Sequence, residues 1–273
     1  MGDAKGIMLR PVSSSTAREV IRRLHYSKSV VNNSQFHIGV WWRGKMEGAM
    51  QFGPPMDKGH VIGLVSGTPW NGVVELNRMA FSAALPRNSE SRALSIAMRL
   101  LRKYAPHVQW VLTFADGTQC GDGTIYRAAG FLLTGIGVND QVWQNPLHDT
   151  NITRFTVSKS PGMMTTGITS MRHFRDAGWR PKAGHQLRYI YPLVPGVRGR
   201  LTVPVLPHSE IARLGAGMYL GKFRAAGVGS DTAGVQPAEG GAIPTAALEA
   251  DADGPSEPEA APPPAGAGGK RER

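Results

Sequence analysis

The stretch Val108-Gln109-Trp110-Val111-Leu112-Thr113-Phe114-Ala115-Asp116, followed by Thr124-Ile125-Tyr126-Arg127-Ala128-Ala129-Gly130-Phe131, decides the fold. The first segment is too evenly apolar to leave one face in water, so it reads as a central strand covered on both sides that delivers Asp116 at its carboxyl end. Thr124 to Ala129 is a short helix stopped by Gly130, and Phe131 to Gly137 returns as a strand. Upstream, Ser89 to Tyr104 places Leu94, Met98 and Leu101 on one face. Arg99, Arg102 and Lys103 lie near its end, where cations favour a helix, and Pro106 follows. Val73 to Phe81 reads as another strand. Phe36 to Trp42 and Met46 to Phe52 flank Arg43-Gly44-Lys45 as a hairpin. Thr16-Ala17-Arg18-Glu19 fits a capping box for a helix carrying Ala17, Val20, Ile21 and Leu24 that runs out near His25-Tyr26. The order helix, hairpin, strand, helix, strand, helix, strand is that of a mixed α/β domain.

Charge divides the 273 residues unevenly. The formal net charge is +11, but residues 225–273 hold 8 acidic and 3 basic side chains, so residues 1–224 carry 28 basic against 12 acidic. A basic body of that size favours a polyanionic partner. Residues 227–273 are Ala, Gly, Pro and Glu with few side chains able to offset chain entropy, and read as a disordered acidic tail. The expected organisation is a catalytic domain over 1–204, with a core of about 10–160 and a basic extension over 161–204. A linker or short helix over 205–226 and the tail follow. Gln186 to Leu193 alternates apolar and polar residues, and with Pro192 it reads as an edge strand that folds the basic stretch back toward the rest.

The single cysteine, Cys120, excludes internal disulfides and cysteine zinc sites, and reads as an inert loop thiol. No apolar run approaches the length of a membrane span, and none follows Met1 to Lys5, so the expected compartment is the cytoplasm.

Ile125-Tyr126-Arg127-Ala128-Ala129-Gly130-Phe131 resembles the "Tyr, small residues, Gly-Phe" ending of the acyl-CoA acetyltransferases of the GNAT superfamily. That resemblance implies a centrally splayed, mixed sheet flanked by helices. The superfamily's glycine-rich pyrophosphate turn is replaced here by Arg87-Asn88-Ser89-Glu90-Ser91, which leaves Arg87, Asn88, Ser89 and Ser91 as candidates for holding a donor without a standard CoA turn. Leu24-His25-Tyr26-Ser27-Lys28, Glu75-Leu76-Asn77-Arg78, Phe114-Ala115-Asp116 and Gly123-Thr124-Ile125-Tyr126, in this order and separation, resemble the Mom family of bacteriophage DNA-modification proteins. The likeness implies conversion of adenine in DNA to the N6-carbamoylmethyl form, which protects phage DNA from restriction nucleases in the host cytoplasm. It also implies that His25, Tyr26, Asp116 and Tyr126 take part in catalysis and in iron binding, with Arg78 as a further active-site residue. A Gly-His pair of the family pattern is replaced by Cys120-Gly121.

On chemistry alone, a His, a carboxylate and phenols suit either iron or general-base work, and these residues do not decide between the two. The donor stays open, acyl-CoA being one candidate. For double-stranded DNA as partner, Arg22, Arg23, Lys28, Arg172, Arg175, Arg180, Lys182 and Arg188 are the expected phosphate contacts, and Trp41, Trp42, Trp70 and Trp143 the expected stacking surfaces. Arg78 is equally readable as a structural partner of Glu75 or Glu90, and Tyr126 as core packing. Two rival functions are an N-acetyltransferase acting on a protein or small amine, and a non-catalytic basic DNA-binding protein.

Overall fold

A computed structural model describes residues 3–118, 120–139, 141–145, 150–153, 171–219 and 222–223. The expected tail over 227–273 and much of the stretch between 146 and 170 lie outside the described residues. A 3-10 turn (Asp3–Gly6) leads into β1 (Met8–Pro11), α1 (Ser14–Leu24), β2 (Phe36–Trp42), β3 (Lys45–Gly53), α2 (Lys58–Ile62), β4 (Val73–Phe81), α3 (Ser89–Tyr104), β5 (Trp110–Asp116), α4 (Thr124–Ala128) and β6 (Leu132–Val138). Then come β7 (Val142–Asn145), β8 (Thr150–Thr153), α5 (Met171–Asp176), β9 (Arg180–Pro181), β10 (His185–Pro192), α6 (Ser209–Arg213), β11 (Met218–Tyr219) and β12 (Lys222–Phe223).

Seven strands form the main sheet in the order β1-β2-β3-β4-β5-β10-β6, antiparallel everywhere except between β4 and β5. This is the mixed, helix-flanked sheet of the GNAT-like expectation, and its central parallel pair is where it splays. On one face α3 packs Leu94, Met98 and Leu101 against Val74, Leu76, Val111 and Leu133. On the other, α1 seats Ala17, Val20 and Ile21 on Ala49 and Ala80, while Val61 and Leu64 cover Val73, Trp110, Leu112 and Ile190. The alternation Trp110, Leu112 against Val111, Ala115 is a strand covered on both faces.

Two details depart from the expectations. The helix α1 starts earlier than the Thr16 capping box implies: Ser13 is extended and its hydroxyl accepts from the Thr16 amide at 3.1 Å, so Ser13 caps and Thr16 lies inside the first turn. The strand β10 is not an edge. It lies between β5 and β6 with Leu187, Tyr189 and Ile190 fully buried, and Pro192 is tolerated because it is the last residue of the strand. The stretch 205–226, expected as a linker or short helix, holds the short helix α6 (Ser209–Arg213), and its described residues 205–219 return to the core. Leu206 donates to the Leu133 carbonyl at 2.8 Å, Ile211 and Ala216 join the α3-side core, and buried Met218 packs on Gly117 beside Asp116.

Gly123 opens α4 at φ +82°, and a Cβ there would meet the Tyr189 ring at 2.5 Å while the Tyr189 hydroxyl donates to the Asp122 carbonyl at 2.6 Å. Gly123→Ala therefore combines left-handed strain with overpacking and should lower stability by about 2–4 kcal/mol in urea denaturation. An unchanged midpoint would contradict this placement of α4.

Candidate active-site cleft

The parallel ladder between β4 and β5 is short: Val73–Glu75 pair with Trp110–Leu112, and beyond that the strands part. A bulge in β4 leaves Asn77 without a partner on β3, because Phe52 opposes Leu76 and Gln51 opposes Arg78. Glu75 closes the ladder on β4, and past it Arg78 on β4 and Asp116 on β5 stand on the two strands that part. The loop after α1 closes over the α1 side. It is pinned there by Arg78, whose guanidinium donates to the Ser29 carbonyl at 3.2 Å, the Ser29 hydroxyl at 3.2 Å and the Asn77 carbonyl at 2.7 Å, and by Ser34, which donates to the Asn77 side chain at 3.1 Å. Among the described residues Arg78 has no carboxylate at ion-pair distance; its hydrogen bonds go to this loop and to Asn77, and Glu75 acts on it through charge at longer range.

That loop begins with His25 and Tyr26. His25 caps the end of α1, and its Nδ1 accepts from the Ser27 amide at 3.2 Å, which places the ring proton of the neutral form on Nε2. Burial, reinforced by the charges of Arg78 and Lys28, lowers its pKa to about 4, so the ring is neutral at physiological pH. The Tyr26 ring leans on His25 with centroids 4.3 Å apart, and its hydroxyl donates to Asp116 Oδ2 at 3.4 Å. Although the residue is 49% exposed, its hydroxyl end is turned inward. Burial, then the Cys120 thiol and the Asp116 carboxylate, push its ionisation above the usual phenol range.

Asp116 is held from behind. Its Oδ1 accepts from the Thr118 amide at 3.0 Å, the Thr118 hydroxyl, and the Asn139 side chain at 2.9 Å, which leaves Oδ2 directed at Tyr26. Tyr126 approaches from α4 on the opposite side of the sheet. It is 9% exposed, packs on Phe131 and Tyr189 at 5.5 Å each, and burial pushes its phenol up to about 12 while the Thr113 hydroxyl beside it pulls the other way. Glu75 and Cys120 act on Tyr126 electrostatically, as Tyr126, Asp116 and Arg78 do on Tyr26 and Arg78 does on His25, so the structure brings the five residues expected to be catalytic close to one another.

Two more groups belong to it. Burial raises the Glu75 carboxyl to about 7, against the pull of Arg78 and of the Met56 amide. The Cys120 thiol, facing Asp116 and Tyr26, is pushed up to about 12 by burial first and then by the Asp116 charge. The signal for Glu75 was present as a carboxylate flanked by Val74 and Leu76 in an otherwise buried strand. Its role emerges only from its position at the split.

For iron the geometry offers few free donor atoms: Asp116 Oδ1 accepts from three donors, its Oδ2 accepts from Tyr26, and His25 Nδ1 accepts from the Ser27 amide, so these atoms of the expected set are committed to hydrogen bonds within the protein. Among the described residues, no group of three or more His, Cys, Asp and Glu side chains is placed to hold a metal ion.

At the start of α3, a cavity of about 370 Å³ is lined by Lys5, Arg92 and Arg99 together with Asn88, Ser91 and Ser95. Asn88, at φ +69°, takes the left-handed cap position that glycine usually fills. Of the expected donor-binding residues, Asn88 and Ser91 reach this cavity. Arg87 is exposed outside it, and Ser89 is buried with its hydroxyl on the Pro86 carbonyl at 2.6 Å. Arg92 and Arg99 share α3 two turns apart, but Lys5 lies far earlier in the chain, and nothing in the sequence marks it as their neighbour.

The expected DNA contacts divide. Arg22 and Arg23 are exposed on the last turn of α1, and Lys28 caps that helix through the Arg23 carbonyl at 2.9 Å while keeping an exposed charge. In the chain between β6 and β10, at the Asp116 end, the described residues 141–145, 150–153 and 171–182 hold the small sheet β8-β7-β9. There Arg172 pairs with Asp176 at 3.9 Å, Arg175 stacks over Trp143, Arg180 donates to the Arg175 and Trp179 carbonyls, and the Lys182 amide joins Val142. Arg188 corrects the expectation: it lies within the main sheet, half-buried, with its guanidinium on the Thr134 hydroxyl and carbonyl at 3.2 and 2.7 Å. Trp143 is likewise buried, whereas Trp70 is 62% exposed beneath Lys58.

Among the described residues no helix is long and apolar enough to cross a membrane. The Mom protein family matches the chain over residues 6–210. Methylcarbamoylase mom of Escherichia phage Mu is 38% identical over 133 residues, which is 48% of this chain and 55% of that protein, so the chain spans about half the length of this curated relative. Solved structures with similarity include a Bacillus subtilis acetyltransferase in complex with CoA (11% identity, 69% of this chain, 98% of that one, TM-score 0.40). They also include a GNAT family acetyltransferase from Elizabethkingia anophelis with acetyl-CoA bound (11%, 68% and 98%, TM-score 0.38).

His25 supplies a pH test of the cleft. Its folded-state pKa is depressed, so its contribution is fully present above about 6.5 and is lost as pH falls through 4. Between those limits the native protein should lose about 1–3 kcal/mol more stability than His25→Asn in parallel urea titrations. Equal losses would contradict a buried, neutral His25.

Proposed function

The chain belongs to the Mom protein family, and from that premise we propose that it is a phage DNA-modification enzyme, a transferase converting adenine in double-stranded DNA to N6-carbamoylmethyladenine and thereby shielding the DNA from restriction nucleases in the host cytoplasm. The observation that carries this reading is the convergence of His25, Tyr26, Glu75, Arg78 and Asp116 on a split in the sheet, with basic surface on α1 and on residues 172–182 at its margins.

The exocyclic amine of adenine is a weak nucleophile because its lone pair is delocalised into the ring, and inside a duplex it is both paired and stacked. The base must be turned out into a pocket, at a cost of roughly a few kcal/mol, while cations hold the flanking phosphates. Arg22, Arg23 and Lys28 on one side and Arg172, Arg175, Arg180 and Lys182 on the other frame such a site. As the new bond to N6 forms, that nitrogen sheds a proton. Glu75, with a carboxyl held near 7, is matched to accept it at neutral pH, and Asp116 Oδ2 with the protonated Tyr26 hydroxyl orients the amine. The neutral His25 Nε2–H and the Arg78 guanidinium donate toward charge that develops opposite the amine.

For the donor, Lys5, Arg92 and Arg99 with Asn88 and Ser91 suit the phosphates of an acyl-CoA or a similar carrier. When bound, the donor would supply the methylene carbon that N6 attacks; the bond from that carbon to its carrier would break, the carrier leaving with the electron pair while N6 gives up its proton. Removing any one of these three cations should raise the donor's KM about tenfold with a smaller effect on kcat. An unchanged KM in all three variants would remove the cavity from the reading.

The test of the function is chemical. DNA from cells expressing the protein, digested to nucleosides and weighed by mass spectrometry, should contain adenosine heavier by one carbamoylmethyl group. Asp116→Asn and Glu75→Gln should each reduce it about 100-fold or more. Glu75 must be ionised to accept a proton, so the native rate should climb as pH rises through about 7. Because a raised carboxyl pKa means the folded state loses stability as pH rises past it, Glu75→Gln should be more stable than the native protein at pH 8, by about 1–2 kcal/mol. Ordinary nucleosides from the native protein under full donor supply, or a modification indifferent to Asp116→Asn, would overturn the reading.

A further inference from the structure

The residues that touch Asp116 from behind are not among those that face the cleft, and they sit where the basic segment joins the sheet. Asn139 is 3% exposed. Its side-chain N–H groups donate to Asp116 Oδ1 at 2.9 Å and to the Thr118 hydroxyl at 3.1 Å, its Oδ1 accepts from the Gln141 amide at 3.1 Å, and its own amide donates to the Gly184 carbonyl at 3.0 Å. The side chain is thus committed at both ends, with its amide orientation fixed by the Gln141 donor on one side and the carboxylate on the other. Thr118 is fully buried and bonds the same carboxylate oxygen through both its amide and its hydroxyl.

The packing around these two residues allows little movement. A Cβ on Gly184 would come within 2.2 Å of Thr118, and a Cβ on Gly117 would meet the His185 carbonyl at 2.7 Å. Asn139 and Gln141 on one side and residues 182–185 on the other are also where the stretch carrying Arg172, Arg175, Arg180 and Lys182 leaves and rejoins the sheet, joined by the Lys182 amide on the Val142 carbonyl at 2.8 Å and the Asn139 amide on the Gly184 carbonyl at 3.0 Å. Asn139, which donates to Asp116, thus stands at the departure point, and Gly184, packed on Thr118, at the return.

We infer that Asn139, with Thr118, is a positioning residue for the reaction: it holds Asp116 Oδ1 so that Oδ2 alone is presented to the adenine amine, and it does so from the neck of the basic segment. This rests on the proposed function, in which Asp116 acts on the substrate. A carboxylate released from this grip would rotate about its χ2 and divide its time among orientations, and misplacement of about 1 Å in a reacting site costs on the order of 100-fold in rate. Charge-assisted donors that fix a functional group from outside the cleft carry effects of about 10–100-fold.

The experiment uses the full chain and duplex DNA, with kcat and the KM for DNA measured from pH 6 to pH 8 alongside DNA affinity and urea stability. Asn139→Asp preserves shape but replaces the donor with a carboxyl group that can donate only when protonated. At pH 8 its kcat should fall about 30-fold or more with KM and DNA affinity within about twofold of native. Toward pH 6 its deficit relative to native should shrink about threefold or more as the new group takes up a proton. Asn139→Ala should show the same loss at every pH. Thr118→Ser should keep near-native kcat, whereas Thr118→Val should lose it, which covers the case of an Asn139 variant that fails to fold.

A native kcat in Asn139→Ala and Thr118→Val would overturn the proposal, as would a deficit in Asn139→Asp that does not change with pH. Loss of kcat only in proportion to lost DNA binding or lost folded protein would overturn it too. If Asp116→Asn abolishes modification while the Asn139 variants do not, the proposal fails alone. If Asp116→Asn is itself without effect, the functional reading has failed first.

Discussion

Two neighbouring strands that run parallel and then separate organise everything else in this protein. The pair β4 and β5 shares a ladder only from Val73–Glu75 to Trp110–Leu112. Beyond it, each strand exposes backbone and side-chain groups that a continuous sheet would have covered. An unpaired polar edge inside a domain is costly unless something satisfies it. Here the Arg78 guanidinium takes the Asn77 carbonyl on β4 while tying down the loop after α1, and the Cys120 amide takes the Asp116 carbonyl on β5. The cleft is thus a consequence of strand divergence, and its lining is whatever β4, β5 and the segments beside them bring to it.

That lining keeps most of its groups uncharged at neutral pH. His25 is neutral because burial and two cations oppose its protonation, Tyr26 and Tyr126 stay phenolic, Cys120 stays a thiol, and Glu75 sits near the midpoint of its titration. A site of this kind offers donors and a proton acceptor rather than a lattice of fixed charges, which suits a reaction on a neutral amine. Apart from Arg78, the cations named above lie outside it, on and just after α1, on residues 172–182 and at the start of α3, where in the proposed reaction phosphates of a nucleic acid or a donor would lie. The overall basicity of the chain and the chemistry of the cleft are therefore separate properties serving separate contacts.

Much of this was legible from residue patterns. The strand Val73 to Phe81 and the helix Ser89 to Tyr104 were readable to the residue, because their apolar periods are clean and Pro86 and Pro106 punctuate the helix. The convergence of His25, Tyr26, Arg78, Asp116 and Tyr126 was readable from a family resemblance. What was not readable depends on long-range pairing. The strand β10 looks like an edge because Pro192 and the polar alternation suggest one, yet its insertion between β5 and β6 depends on the chain returning after an excursion of some forty residues between Val138 and His185. Arg188 looked like a surface cation for the same reason and is instead spent on Thr134. Asn139 and Thr118 carry no local signal, since an Asn before a loop and a Thr after an Asp are ordinary turn residues until the fold sets them against one carboxylate oxygen.

The central claim is that the gap between β4 and β5 receives a single adenine turned out of its duplex. The most direct measurement is a crystal structure of the Glu75→Gln protein bound to duplex DNA. The account predicts one adenine outside the stack, its exocyclic nitrogen within hydrogen-bond reach of position 75 and of Asp116 Oδ2, with the flanking phosphates against α1 and residues 171–182. A duplex bound with all its adenines stacked, or an adenine seated away from this gap, would contradict it.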